Sequence, residues 1–181
     1  MKKNLLLSFF IVLFFSLNLV AQTPEVKEAN PADVASLDAI MKAVYDVISG
    51  NAGQKRDWDR FRSLFYKDAR LIPSGKNPTT GVIGARSLLV EDYVTRASAN
   101  MEKEGFFERE KARRVEIYGN IAHVFSTYES FHSLSDKMPF QRGINSFQLF
   151  NDGKRWWVVT IFWQGETPES PIPKKYLKSK K

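Results

Sequence analysis

The stretch that decides the fold is RGINSFQLFNDGKRWWVVTIFWQ, residues 142–164. Two runs rich in β-forming residues flank Asn151-Asp152-Gly153, which predicts a hairpin turn because Asn and Gly tolerate positive φ. Side chains alternate along a strand, so the second run presents two apolar faces. These are Trp156, Val158, Thr160 and Phe162 on one face and Trp157, Val159, Ile161 and Trp163 on the other. A strand with one wet face would alternate apolar and polar residues. This strand therefore has to be covered on both sides.

Three predicted helices come before a run of predicted strands. Apolar residues at three- and four-residue spacing predict an amphipathic helix over 37–48, Asp57 predicts the cap of a short second helix, and a third runs over 90–104. Strands are predicted at 69–72, 82–83, 106–118, 121–132, 141–150 and 154–164. Helices first and antiparallel strands second indicate an α+β fold. We expect the helices to pack in a strongly curved, mainly antiparallel sheet.

The first 21 residues have the pattern of a secretory signal peptide, with Lys2-Lys3, an apolar core from Leu5 to Phe15 and Ala21 at the cleavage position. The alternative is an uncleaved membrane anchor, but the apolar core is shorter than the roughly 20 residues that span a bilayer. We therefore expect export to the periplasm or beyond, without stable membrane insertion. The predicted organisation is a signal peptide (1–21), a linker (22–35), one domain (36–165) and a Pro/Lys-rich tail (166–181).

Charge and composition exclude several classes of function. The formal net charge of +7 falls to +5 without Lys2 and Lys3, and most of that excess lies in the tail. The body of the domain is nearly neutral, whereas a nucleic-acid-binding domain carries a basic stripe, so no nucleic-acid partner is expected. We interpret the tail as a solvated terminus, with binding to an anionic surface as the alternative. The chain has no cysteine, and its two histidines fall on opposite faces of one predicted strand. No metal site and no cofactor are expected.

The second apolar face of the last strand predicts a partner. Three helices can cover one face of the sheet, and a large exposed apolar patch is rare on a monomer. We therefore expect a symmetric homodimer through the convex sheet face, with an interface of roughly 800 Å² per partner. The alternative is that the proline-rich tail folds back over the same face.

Four pieces of the chain, in order, resemble the nuclear transport factor 2-like superfamily and its SnoaL-like members. They are the first helix ending before a loop, residues 57–71 running from the second helix into an Asp-Ala strand, residues 119–124, and the terminal hairpin with Asp152-Gly153 and Trp157. The resemblance covers about residues 36–165. It implies a cone in which a curved sheet wraps a helix and leaves a cavity at its open end. Members include ketosteroid isomerases, polyketide cyclases, dehydratases and non-enzymatic binding modules, so the fold does not settle the function.

The resemblance provides a test of the isomerase mechanism. It places Tyr45 at the tyrosine position of the first helix and Asn145 where those enzymes carry an acidic hydrogen-bond donor. The position of the catalytic base falls on Ile72-Pro73-Ser74, which carries no carboxylate. Without a base, proton abstraction has no driver, so this mechanism is disfavoured. His123 is a further candidate acid–base group, with a structural strand histidine as the alternative.

Our first hypothesis is that the cone binds a small, largely apolar ligand, without necessarily catalysing a reaction. The candidate ligand-binding residues combine aromatic rings with a few polar groups: Tyr45, Trp58, Tyr128, Arg142, Asn145, Phe147 and Trp163. Several of the other polar strand residues, a group that includes Glu108, are expected to form cross-strand ion pairs on the rim. The second hypothesis is an enzyme of the isomerase, cyclase or dehydratase kind that uses Tyr45, Asn145 and His123. The third is a protein–protein interaction module with a filled cavity.

Overall fold

The computed structural model describes residues 27–178; the predicted signal peptide lies outside them. The helices are α1 (Pro31–Val34), α2 (Leu37–Ile48), α3 (Trp58–Ser63) and α4 (Val90–Glu104). The strands are β1 (Phe65–Lys76), β2 (Ile83–Ala85), β3 (Phe107–Tyr118), β4 (Ile121–Phe131), β5 (Gln141–Asn151) and β6 (Trp156–Gly165). A single 3-10 turn, Lys174–Tyr176, lies in the tail.

The strands form one six-stranded sheet in the order β2-β1-β6-β5-β4-β3. All neighbours are antiparallel except β1 and β6, which run parallel. The sheet is curved, open and mixed, which confirms the predicted α+β class. Strand β1 is longer than predicted and passes through Pro73. It continues because Pro73 and Ser74 still pair with β6, and β2 then pairs with Ser74–Lys76.

The concave face of the sheet packs on α2, whose buried stripe includes Ile40, Met41 and Val44. Three buried sheet residues, Val124, Phe147 and Leu149, belong to the same core. At the start of α3 the Asp57 carboxylate accepts a hydrogen bond from the Arg60 backbone N–H at 2.9 Å, as the sequence predicts for a cap.

The end of the predicted linker is ordered rather than loose. Residues 31–34 form α1, which is capped by the Asn30 side chain and buries Val34. The Asp33 carboxylate accepts two hydrogen bonds from the Arg60 guanidinium, at 2.7 and 2.8 Å. These bonds hold the pKa of Asp33 below its usual value. Linker composition missed this helix because a four-residue helix has no periodicity to detect, and its stability comes from the contact with α3.

A β-bulge at Val159 changes the predicted faces of β6. Gln148 pairs with Thr160 while the next residue, Leu149, pairs with Val158, so Val159 is the extra residue. Trp156 and Val158 therefore share the concave side with Ile161 and Trp163. Strict alternation from Trp163, which the sequence assigns to the cone, would turn Trp157 toward the cone and Trp156 toward a partner, and the structure shows that this assignment is wrong. Strict alternation holds only within an unbroken ladder, and the bulge exchanges the two faces partway along the strand.

The tail folds back over part of the convex face. The Tyr176 ring meets Phe125 at 5.0 Å between ring centroids, and the Thr127 hydroxyl donates to the Tyr176 carbonyl at 2.6 Å. Thr127 points to the convex side but is buried, since the tail covers it. The proline-rich tail therefore covers this part of the convex face, which is the alternative to a dimer given above.

Uncovered apolar residues remain on the convex face beside the tail. Tyr118, Ile121, Phe150 and Trp157 occupy paired positions across β3, β4, β5 and β6. Tyr66 packs edge-on against both Phe150 and Trp157. We call these five residues the convex row. Within residues 27–178, no helix has the length and hydropathy needed to cross a membrane.

Because of the bulge, the adjacent residues Val158 and Val159 differ in burial. Val158 is fully buried whereas Val159 is not. We expect Val158→Ala to lower the free energy of unfolding by about 2 kcal/mol, because it removes buried methyl groups and leaves a cavity. Val159→Ala should cost less than about 1 kcal/mol. Urea unfolding of the two variants measures this difference, and equal losses would contradict the assigned bulge.

Candidate functional site

A cavity of about 220 Å³ lies between the helices and the concave face of the sheet. Aromatic side chains from α2, α4 and four strands or their flanking loops form much of its wall; they include Tyr45, Tyr93, Phe106, Tyr128, Phe147 and Trp163. Phe140, which is half exposed in the loop between β4 and β5, also lines it and marks where it opens. Phe140 stacks on His132, with 4.2 Å between ring centroids. The predicted cone therefore contains an open, mainly apolar cavity.

Glu108 supplies the carboxylate of this cavity. It lies on β3, opposite Ser130 of β4. The Ser130 hydroxyl donates to one carboxylate oxygen at 3.0 Å, and the Asn145 amide donates to the other at 3.1 Å. Burial raises the pKa of Glu108 to about 7, although both hydrogen bonds act in the opposite direction. Within the described residues, Glu108 forms no ion pair.

Asn145 and Tyr45 belong to a hydrogen-bond chain that leads away from the cavity. The Asn145 amide also donates to the Tyr45 hydroxyl at 3.2 Å, and the Tyr45 and Ser126 hydroxyls lie 2.7 Å apart. The Ser126 hydroxyl donates to the Glu110 carboxylate at 2.6 Å. Because Ser126 has a single hydrogen, Tyr45 must be the donor to Ser126. Burial, together with the nearby Glu108 charge, raises the pKa of Tyr45.

Glu110, the last residue of this hydrogen-bond chain, is held by an arginine. The Arg113 guanidinium forms an ion pair with Glu110 at 2.7 Å and a second one with Asp38 of α2 at 2.8 Å. The Glu110 carboxylate accepts hydrogen bonds both from the Arg113 guanidinium and from the Ser126 hydroxyl. The direction of every hydrogen bond from Ser126 back to Asn145 is therefore fixed.

Five of the residues predicted to bind ligand line the cavity: Tyr45, Tyr128, Asn145, Phe147 and Trp163. Three candidates lie elsewhere. Trp58 packs edge-on against Phe61 at 5.5 Å between ring centroids, behind the cavity wall. Arg142 forms an ion pair with Glu166 at 2.7 Å and does not line the cavity. His123 lies on the convex side and contacts the Ser146 hydroxyl at 3.1 Å, so it does not meet Tyr45 or Asn145.

Sequence reasoning missed Glu108 as a site residue and grouped it with polar strand residues, several of which were expected to form ion pairs on the rim. The rim prediction does describe its neighbour, because Arg109 pairs with Glu129 across the strands at 3.2 Å. The available signal was the alternation of side chains along the strand, which puts Glu108 on the same face as Phe106 and Glu110. Alternation could not show which face is concave, because that depends on the curvature of the sheet. At the position expected for a base, Ser74 donates its hydroxyl to the Trp163 carbonyl at 2.9 Å.

No family model and no curated protein matches this chain. Solved structures do match it. A protein of unknown function with a cystatin-like fold from Nostoc punctiforme has a TM-score of 0.56 at 10% identity and covers 78% of this chain and 97% of its own. The β subunit of a putative aromatic-ring-hydroxylating dioxygenase from Novosphingobium aromaticivorans has a TM-score of 0.53 at 14% identity, covering 76% and 95%.

A putative calcium/calmodulin-dependent kinase II association domain from Exiguobacterium sibiricum also has a TM-score of 0.53 at 14% identity, covering 74% of this chain and 93% of its own. At such identities a likeness shows the fold alone. It agrees with the curved sheet, the enclosed helix and the open cavity described above. The chain therefore has the cone-shaped α+β fold of the nuclear transport factor 2-like superfamily, as its sequence predicted.

Proposed function

We propose that this protein binds a small, largely apolar molecule in the cavity and that Glu108 makes the central polar contact. The observation that carries the proposal is an open, aromatic-lined cavity with one carboxylate that lacks a charged partner among the described residues. Ligand sites typically combine apolar walls with a few placed polar groups. At about 220 Å³ the cavity is larger than a cavity of about 150 Å³ that holds benzene. An open cavity counts against an interaction module with a filled cone.

The leader-like pattern of residues 1–21 supports a second part of the proposal, which is that the protein is exported. A binding protein of this kind would meet its ligand outside the cytoplasm. The absence of cysteine means that its stability outside the cell comes from burial rather than from disulfides.

A proton-transfer enzyme is the second candidate function. Glu108 has a pKa of about 7, which suits a general acid or base at neutral pH. Tyr45, however, already donates its hydrogen to Ser126, and Asn145 donates its two hydrogens to Tyr45 and Glu108. They are not free to stabilise an enolate, so the geometry favours acid–base elimination of the dehydratase kind over steroid-type isomerisation.

We also propose that the convex row joins two copies of the chain. Tyr118 and Ile121 remain largely exposed beside the tail, at 85% and 58% of their surface. An apolar row across five strands is suited to an isologous contact, in which each copy presents the same patch. Two solved structures with a similar fold are named as a subunit and as an association domain, which supports assembly through this fold.

Ligand binding can be tested by thermal shift against steroids, polyketides, fatty acids and smaller aromatic metabolites. A bound ligand raises the melting temperature by mass action, by the equivalent of about 2.7 kcal/mol at a hundred times its Kd. Phe140→Ala should reduce the shift, because Phe140 lines the cavity. Leu134→Ala is the matched control, since Leu134 is exposed in the same loop outside the cavity. No shift with any class would refute the proposed binding function.

Glu108→Gln should make stability less dependent on pH. Burial raises the pKa of Glu108 from 4.5 in the unfolded chain to about 7, so the folded protein binds a proton more tightly. The free energy of unfolding of the wild type should therefore fall as pH rises through this window. Between pH 5 and 8 the variant should gain on the order of 2–3 kcal/mol relative to the wild type.

Urea unfolding at both pH values measures this gain. The other titratable groups that face Glu108 from the packed elements are Tyr45, Tyr93 and Tyr128, and burial raises the pKa of all three above this window. Glutamine keeps both contacts, because its carbonyl can accept from Asn145 and its amide can donate to Ser130. Glu104→Gln, at the exposed end of α4, is the control. A variant that tracks the wild type at both pH values would contradict the buried carboxylate.

Light scattering tests the proposed dimer. We expect the wild type to be a dimer at micromolar concentration and Ile121→Lys to be a monomer, since a charge in the convex row has to be desolvated on association. Leu134→Lys, which places the same charge on an exposed loop, should leave the dimer intact. A wild type that is monomeric would refute this proposal.

A further inference from the structure

The side chains in the hydrogen-bond chain of Glu108, which are Ser130, Asn145, Tyr45 and Ser126, have no polar hydrogen left for a ligand. The Ser130 hydroxyl donates to Glu108, and the Asn145 amide uses its two hydrogens on Glu108 and Tyr45. The Tyr45 hydroxyl donates to Ser126, whose own hydrogen goes to Glu110. A carboxylate offers about four lone-pair sites, and two of those on Glu108 are used. The ligand group that meets the free lone pairs of Glu108 therefore has to be a donor.

The charge of the cavity wall narrows the choice of donor. Of the described residues that line the cavity, none is Lys, Arg or His, and Glu108 is the one acidic side chain. A buried charge without a partner is costly, and an opposite charge offsets that cost. A neutral alcohol would satisfy the lone pairs of Glu108 but would leave its charge uncompensated. A positively charged donor satisfies the lone pairs of Glu108 and also offsets its charge.

The aromatic rings of the wall also favour a positively charged ligand. The faces of aromatic rings carry negative electrostatic potential and attract cations that are taken out of water. Tyr93, Phe106 and Trp163 come from three different elements and line one cavity with Glu108. Tyr128 and Gln141 also line it and can bind a second polar group on the ligand, since hydroxyls and amides both donate and accept.

We propose that the ligand of this cavity is an organic cation, an apolar body with a protonated amine, and that Glu108 pairs with the ammonium group. This inference rests on the proposed ligand-binding function and names the chemical class of the ligand. In the complex the ammonium hydrogens point to the free lone pairs of Glu108, and the apolar body packs on the aromatic wall. A neutral molecule of the same shape binds the wall but lacks the ion pair.

Isothermal titration calorimetry with matched probes tests the inference. The probes are 2-phenylethylamine against 2-phenylethanol and tryptamine against tryptophol, two pairs in which an ammonium group replaces a hydroxyl. At pH 8 we expect each amine to bind the wild type at least about tenfold more tightly than its alcohol, since charge-assisted hydrogen bonds are roughly twice as strong as neutral ones. Glu108→Gln should abolish this preference, and the control Glu104→Gln should keep it.

A measurement on the wild type alone guards against a variant that fails to fold. Amine affinity should fall about tenfold from pH 8 to pH 6, because Glu108 becomes protonated while the amines stay charged. Tyr45, Tyr93 and Tyr128, which face Glu108 from α2, α4 and β4, stay neutral over this range because burial raises their pKa values. Alcohol affinity should not fall over the same range.

The outcomes separate this inference from the proposed function. If the alcohols bind as tightly as the amines, the inference is overturned and ligand binding stands. The same conclusion follows if the amine preference survives Glu108→Gln, or if the wider thermal-shift screen finds only neutral or anionic ligands. If neither the probes nor the screen gives any binding, both the inference and the proposed function are overturned.

Discussion

The whole domain depends on β6, which pairs with β1 on one side and β5 on the other and carries apolar side chains on both faces. Its bulge at Val159 allows Trp156 and Val158 to face the same side as Ile161 and Trp163. A regular strand would have divided these residues between the two faces. Without the bulge, Trp156 and Val158 would face the convex side. The tail covers only part of that side, and the convex row is already exposed there.

The site depends on the direction of its hydrogen bonds. Glu110 accepts from both Arg113 and Ser126, so the Ser126 hydroxyl has to accept from Tyr45, and the Tyr45 hydroxyl accepts from Asn145. A protein that stabilises a developing negative charge needs free donors in its cavity. Here the hydrogens of Tyr45, Asn145 and Ser130 point away from the cavity or toward Glu108. The one carboxylate of the cavity, Glu108, is left with free lone pairs.

Much of the fold could be predicted because its signals are local. Amphipathic spacing gave α2 and α4, Asp57 gave the start of α3, and the turn at Asn151–Gly153 gave the last hairpin. Tyr45 and Asn145 were predicted as cavity residues, and they do line it together. Glu108, the bulge and α1 were missed, because each depends on a contact with a distant segment. Trp58 and Arg142 were misplaced because their spacing is compatible with both the cavity and the surface.

By itself the sequence determined the α+β class, a doubly apolar last strand and a scarcity of polar groups available for chemistry. Those properties follow from side-chain periodicity and composition, which are fixed along the chain. Only the tertiary structure decided which face of each strand is concave, which carboxylate is buried and which hydrogens remain free. Sheet curvature, a one-residue bulge and the pairing of β3 with β4 set those features, and all three arise from contacts between residues far apart in the sequence.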